Sequence, residues 1–89
     1  MKRIHIFISG KVQGVGLRLS CKRKADESGV FGWVKNLHDG RVEAVFESDK
    51  KSLDKLLVWC MTGMEGAKVT AVEKHEEKVM GLTLFEIVS

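Results

Sequence analysis

Isoleucines at positions 4, 6 and 8 alternate with His5 and Phe7. A period of two in β-branched residues predicts a strand over 3–9, with the isoleucines on one face. A different period follows. Leu17, Cys21 and Ala25 recur every fourth residue, and the stretch 18–28 holds neither Pro nor Gly. That spacing predicts a helix with a thin apolar stripe. Lys22, Arg23 and Lys24 lie largely outside the stripe and read as a solvated face, and Gly29 stands where a helix-ending glycine belongs. Residues 31–37 return to strand character. His38-Asp39-Gly40 carries the Asp-Gly hairpin signal, and 41–47 is the return strand, with Val42, Ala44 and Phe46 on one face and Glu43, Val45 and Glu47 on the other. Ser48 or Asp49 is placed to cap a second helix. It runs to about Thr62, with Leu53, Leu56, Leu57 and Cys60 on its apolar face and Gly63 as its stop. Residues 67–75 read as a strand with Val69 and Ala71 on one side. A charged connection over 76–81 leads to a final strand over 82–88, where Thr83, Phe85 and Ile87 face one way and Leu82, Leu84 and Glu86 the other.

The order is β-α-β-β-α-β plus one further short strand. Two helices on one face of an antiparallel sheet make an α+β, two-layer α/β sandwich of the ferredoxin-like, split-βαβ type. That architecture hosts many activities, so function has to be argued from a site.

The chain has 89 residues, which fits one domain spanning 1–89. Its net charge of +3 is mildly basic: it favours anionic ligands without making a nucleic-acid binder. The longest apolar run, Leu56 to Met61, is six residues, far short of the ~20 that span a membrane. The opening MKRIHIFIS is too short and too alternating for a signal peptide. The expectation is a cytoplasmic monomer with no membrane association. Cys21 and Cys60 lie 39 positions apart and form no metal-ligand spacing. They read as buried free thiols, with a disulfide as the alternative if two adjacent helices bring them together. His5, His38 and His75 are scattered without helical i,i+4 spacing, so no metal and no other cofactor is expected.

The stretch with most chemical content is GKVQGVGLR, residues 10–18. A strand, a glycine-rich loop and a helix start are together suited to an anion. Glycine lets backbone N–H groups approach a guest closely, and the unpaired N–H groups of a helix start point the same way. Arg18, in the first helical turn, adds a planar fork matched to phosphate oxygens. The residues alone leave a second reading open, a tight turn followed by a surface arginine. Two well-known phosphate loops do not fit: Gly16 is followed by Leu17-Arg18 rather than Lys-Ser/Thr, and Gly14-Val15-Gly16 is not followed by a third glycine in dinucleotide register.

The same stretch resembles the acylphosphatase signature G-x-V-Q-G-V-x-[FH]-R. The likeness continues through Gly29-Val30-Phe31-Gly32-Trp33-Val34-Lys35-Asn36, similar to the family's G-[LV]-x-G-W-V-[RK]-N. It goes on through Asp39-Gly40-x-Val42-Glu43, Gly63, Ala67, Val69, Val72 and Phe85-Glu86-Ile87. It therefore covers essentially the whole chain. The resemblance implies hydrolysis of a carboxyl–phosphate bond in a small-molecule acyl phosphate. Arg18 matches the family's phosphate-binding arginine, and Asn36 the asparagine that positions the attacking water. The backbone N–H groups of Gln13, Gly14, Val15, Gly16 and Leu17 would complete the phosphate cradle.

Three positions depart from the family pattern: Leu17 replaces an aromatic residue or histidine, Met64 a proline, and Ser48 a glycine. They bear on substrate range and stability rather than on reaction type. His38 alternates to the same face as Asn36; it reads as a solvated turn residue, with substrate contact as the alternative. Trp33 is expected to pack in the core or on the sheet, and Trp59 to be half exposed. An RNA-binding domain of the same fold would need exposed base-stacking aromatics on its strands, and that motif is missing. A regulatory domain of acylphosphatase type, as found at the front of larger enzymes such as the hydrogenase-maturation carbamoyltransferase, is the other alternative.

Overall fold

The computed structural model describes residues 1–62 and 65–88. Its elements are β1 (Lys2–Lys11), α1 (Leu17–Ser28), β2 (Phe31–Asn36), β3 (Val42–Ser48), α2 (Lys50–Thr62), β4 (Lys68–Glu77) and β5 (Phe85–Val88). The expected helix stop Gly63 and the departure at Met64 lie outside the described residues. No described helix is long and apolar enough to cross a membrane.

The five strands form one sheet in the order β4-β1-β3-β2-β5. Ile4, Ile6 and Ile8 stand directly opposite Phe46, Ala44 and Val42. Directly opposed side chains share a face, so the alternation read from the sequence becomes a continuous apolar surface. Leu17, Cys21 and Ala25 of α1 and Leu53, Leu56 and Cys60 of α2 cover that surface and complete the core. Cys21 and Cys60 are both free thiols and both buried. A hydrogen bond with the Cys21 thiol and burial together push the Cys60 thiol well above the ordinary thiol range, which leaves it unreactive. Gly29 ends α1 in the left-handed conformation, as its position implied. Asp49 caps α2: its carboxylate accepts from the Ser52 N–H at 2.9 Å, while Ser48 donates to the Gly29 carbonyl.

Two details depart from the sequence pattern. The sheet is antiparallel in three of its four pairings, but β2 and β5 run parallel. The chain reverses once between β4 and β5, so β5 runs against β4 and therefore with β1 and β2. The expected pairing of Val69 and Ala71 on one side also fails. The β1–β4 register shifts between Ser9 and Gly10, which face Ala71 and Val69 and leave Thr70 without a partner. The bulge puts Val69 and Val72, not Ala71, against the core. Gly10 is needed there, because a Cβ would run into the Lys68 carbonyl oxygen.

The connection from β4 to β5 carries the chain from one edge of the sheet to the other. It is held by Glu47, whose side chain is fully buried at the end of β3. The carboxylate accepts from the N–H groups of Met80 (2.9 Å), Gly81 (3.1 Å) and Leu82 (2.9 Å). It also accepts from the Arg3 guanidinium at 2.9 Å. Arg3 in turn donates to Glu77, and His5 lies between Glu77 and Glu43 at 2.7 and 2.6 Å. This polar network runs across the sheet face opposite the helices. Trp33 packs there half-buried, edge-on to His5. Because Leu82 is committed to Glu47, β5 begins only at Phe85, three residues later than the alternation implied.

Candidate active site

β1 ends at Lys11 and delivers the chain into the loop 12–16. Val12 is buried and anchors the loop's entry. Gly14 and Gly16 both take left-handed backbone conformations, with φ of 73° and 76°. That region is open to glycine and strained for other residues. A Cβ at either position would meet no protein atom within 4 Å, so the backbone here faces open space. Gly16 also begins α1. Among the described residues no side chain caps this helix, and its first turn carries no acidic residue. Its leading N–H groups are thus left to whatever occupies the loop's concave side.

On that side lies a cavity of about 220 Å³, lined by Val12, Gly14, Gly16, Leu17, Arg18, Leu19, Asn36 and Ile87. Arg18 and Asn36, read separately from two motifs, therefore meet in one place. Arg18 comes from the first turn of α1 and Asn36 from the last residue of β2. Asn36 shares the helix-facing side of the sheet with Val34, opposite Val42 and Ala44. Among the described residues Arg18 makes no salt bridge, and it is the one charged side chain lining the cavity. A half-buried guanidinium with no carboxylate partner, beside unpaired helix-start N–H groups, makes an electropositive hollow suited to a multivalent oxyanion.

Gln13 and Val15, the other two loop residues proposed for the cradle, do not line this cavity with their side chains. Val15 packs against the core. Gln13 turns toward the β2–β3 hairpin, where its amide donates to the carbonyls of Leu37 (2.7 Å) and Arg41 (2.9 Å). It ties the loop to the element that carries Asn36. Replacing Gln13 with alanine is expected to lower stability by about 1–2 kcal/mol, from two lost hydrogen bonds. Urea denaturation reads the shift, and an unmoved midpoint would remove Gln13's tethering role. Leu19 and Ile87 line the cavity without belonging to the residues that the motifs single out for the site; Ile87's place on the Phe85 face, toward the helices, is the sequence signal for it. His38 is exposed in the turn and does not line the cavity.

The family profile described as Acylphosphatase matches residues 4–87. The chain belongs to the acylphosphatase family. An acylphosphatase of Roseiflexus sp. (strain RS-1) is 52% identical over 81 residues, covering 91% of this chain and 87% of that protein. One of Methylococcus capsulatus is also 52% identical over 81 residues, covering 91% and 88%. The crystal structure of acylphosphatase from Bacillus subtilis is similar in fold, with a TM-score of 0.95 at 36% identity over the whole of both chains. The strand–loop–helix of the first motif faces the end of β2 from the second, and the cavity lies between them.

Proposed function

We infer that this acylphosphatase-family chain hydrolyses acyl phosphates to a carboxylate and inorganic phosphate, with Arg18 and Asn36 carrying the reaction. The observation that supports these roles is the convergence of one unpaired guanidinium and one primary amide on a single cavity at a left-handed glycine loop. The leaving group is a carboxylate, whose conjugate acid has a pKa near ~4, so it departs without protonation. What remains is to hold the phosphoryl group, offset the charge on its equatorial oxygens and bring water in line. Arg18 and the N–H groups of residues 13–17 do the first two. Asn36 does the third, its amide oxygen accepting from the water. Water attacks phosphorus, and the P–O bond to the acyl group breaks with its electron pair leaving on the carboxylate. An amide cannot take the proton at neutral pH, so it passes to a phosphoryl oxygen. In this reading the chain acts as a cytoplasmic monomer on a free small-molecule substrate, which rests on its short apolar runs.

Asn36→Ala is expected to lower kcat for benzoyl phosphate by about 100-fold, the usual loss when a positioned polar group is removed. KM should change little, because the phosphoryl group is held elsewhere. A loss confined to KM would move Asn36 from water positioning to substrate binding. Since no side chain has to change protonation state, kcat should be flat across the histidine range. A bell centred near ~6.5 would mean that a histidine takes part.

A further inference from the structure

Both ring nitrogens of His5 are held by carboxylates from the two neighbouring strands. Nδ1 lies 2.7 Å from Glu77 Oε2 on β4, and Nε2 lies 2.6 Å from Glu43 Oε2 on β3. A neutral imidazole has one N–H and one lone pair, and an ionised carboxylate only accepts. The two contacts are therefore satisfied together only when the ring carries two protons. A proton moved to either carboxyl would sit on the weaker base, since the ordinary values are about 4.3 for Glu and about 6.5 for His. The other charged groups around the ring are already engaged. From β1, Arg3 divides its guanidinium between Glu77 and Glu47. From β2, Lys35 stands 3.6 Å from Glu43, beyond hydrogen-bond distance. From β4, His75 is directly opposite His5, but its ring turns to Glu73 at 2.6 Å. Arg41, beyond Phe7, is tied to Asp39. The second proton on His5 thus completes the counter-charge of Glu43 and Glu77.

We propose that His5 is a pH-sensitive latch: as an imidazolium it ties the edge strand β4 to β3 across β1, and loss of its proton frees the end of β4. Deprotonation leaves a ring lone pair facing a carboxylate oxygen, which is repulsive. Glu77 is the partner that gives way, because it is 37% exposed on an edge strand while Glu43 is 14% exposed on an inner one. Glu47 keeps its hold on Met80, Gly81 and Leu82 without help from His5, so the release is local to β4. Burial alone would lower the His5 value, but Glu77 and Glu43 hold it above the ordinary 6.5. A raised histidine stabilises the fold in full below its unfolded-state value, and that contribution is lost as pH rises through the folded-state value. On the acid side Arg3 and His5 hold the Glu77 carboxyl below its ordinary 4.5, and protonation there opens the latch again. The ring lies on the sheet face away from the cavity. The latch therefore acts on the fold and leaves the flat kcat profile expected above unchanged.

Nitrogen NMR of the imidazole rings reads the charge in the unaltered protein, with His5→Gln identifying the His5 signals. Both nitrogens of His5 are expected to stay protonated to higher pH than in a peptide of the same N-terminal sequence, which titrates near ~6.5. Glu77→Gln should bring that midpoint down. Hydrogen exchange, corrected for the intrinsic rate, reads the release at about pH 6 and about pH 9, on either side of the proton loss. Protection of the β4 amides should fall about tenfold, the worth of a hydrogen bond to a charged group, while that of the β2–β3 pairing holds. The fall should be absent in His5→Gln. Glu77→Gln, which alters a more exposed side chain, should also reduce it and serves the comparison if His5→Gln folds poorly. A His5 midpoint at or below the peptide's would overturn the proposal. So would a loss of protection shared equally by all strands, or one that persists undiminished in the variants.

Discussion

Replacing Arg18 with alanine is expected to reduce kcat/KM for benzoyl phosphate by about 10³-fold, equivalent to ~4 kcal/mol of transition-state stabilisation. Among the described residues Arg18 is the only charged group lining the cavity and no carboxylate competes for it, so its interaction is available in full to the substrate. Phosphoryl transfer places charge on three equatorial oxygens, and a planar cation meets two of them at once. Arg18→Lys keeps the charge but loses the fork and should recover only part of the activity. Inhibition by inorganic phosphate should weaken in parallel. Arg18→Ala should still unfold as the unaltered protein does, because the side chain holds no part of the core together. A variant that retained most of its turnover would show that the loop N–H groups suffice and that the arginine is incidental.

Glu47→Ala carries the largest expected effect on stability, about 3–5 kcal/mol, the usual cost of breaking a buried ion pair. The substitution strips a nearly buried Arg3 of one of its two carboxylates and leaves the N–H groups of Met80, Gly81 and Leu82 without their acceptor. For a domain of this length the melting temperature should fall by on the order of 15 °C or more. The effect has a pH signature. Burial alone would raise the Glu47 carboxyl, but the Met80 N–H, the Arg3 guanidinium and the Leu82 N–H hold it below its ordinary value of 4.5. A depressed carboxyl stabilises the fold above its unfolded-state pKa, and that contribution is lost as pH falls through the folded-state value. The gap between the unaltered protein and Glu47→Ala should therefore be widest at neutral pH and narrow below about pH 4.5. A gap that stayed constant on acidification would mean that the carboxylate's charge is not what matters.

Glu47 also shows where sequence reasoning stops. In RVEAVFE the alternation places it on the face opposite Val42, Ala44 and Phe46 and says nothing of its burial. Its burial depends on a connection more than thirty residues later in the chain, and nothing local announces that. The same connection shortened β5, because Leu82 was taken up by Glu47 before pairing could start. Local periods, by contrast, carried far. Ile4-Ile6-Ile8 and Leu17-Cys21-Ala25 placed β1 and α1 correctly, since burial on one face is what imposes the period. Alternation misled at Val69, where the bulge beside Gly10 shifts the register. Within the site, Arg18 and Asn36 were legible because each sits in a motif. Leu19 and Ile87 lie on one cavity only through the β2–β5 pairing, a long-range contact with no spacing of its own.

The strand order has a consequence for how the chain reaches this structure. β1 is made first, yet it lies between β3 and β4, and its Arg3 meets a partner 74 positions away. The ladder of β1 with β3 cannot close before Ser48 is made, nor that with β4 before Glu77, and each closure has to overcome the entropy of a long loop. Such non-local pairing makes folding slow for a chain of this size. On the ribosome, the apolar face of Ile4, Ile6 and Ile8 has to wait uncovered until both helices that pack on it have been made, the second ending at Thr62.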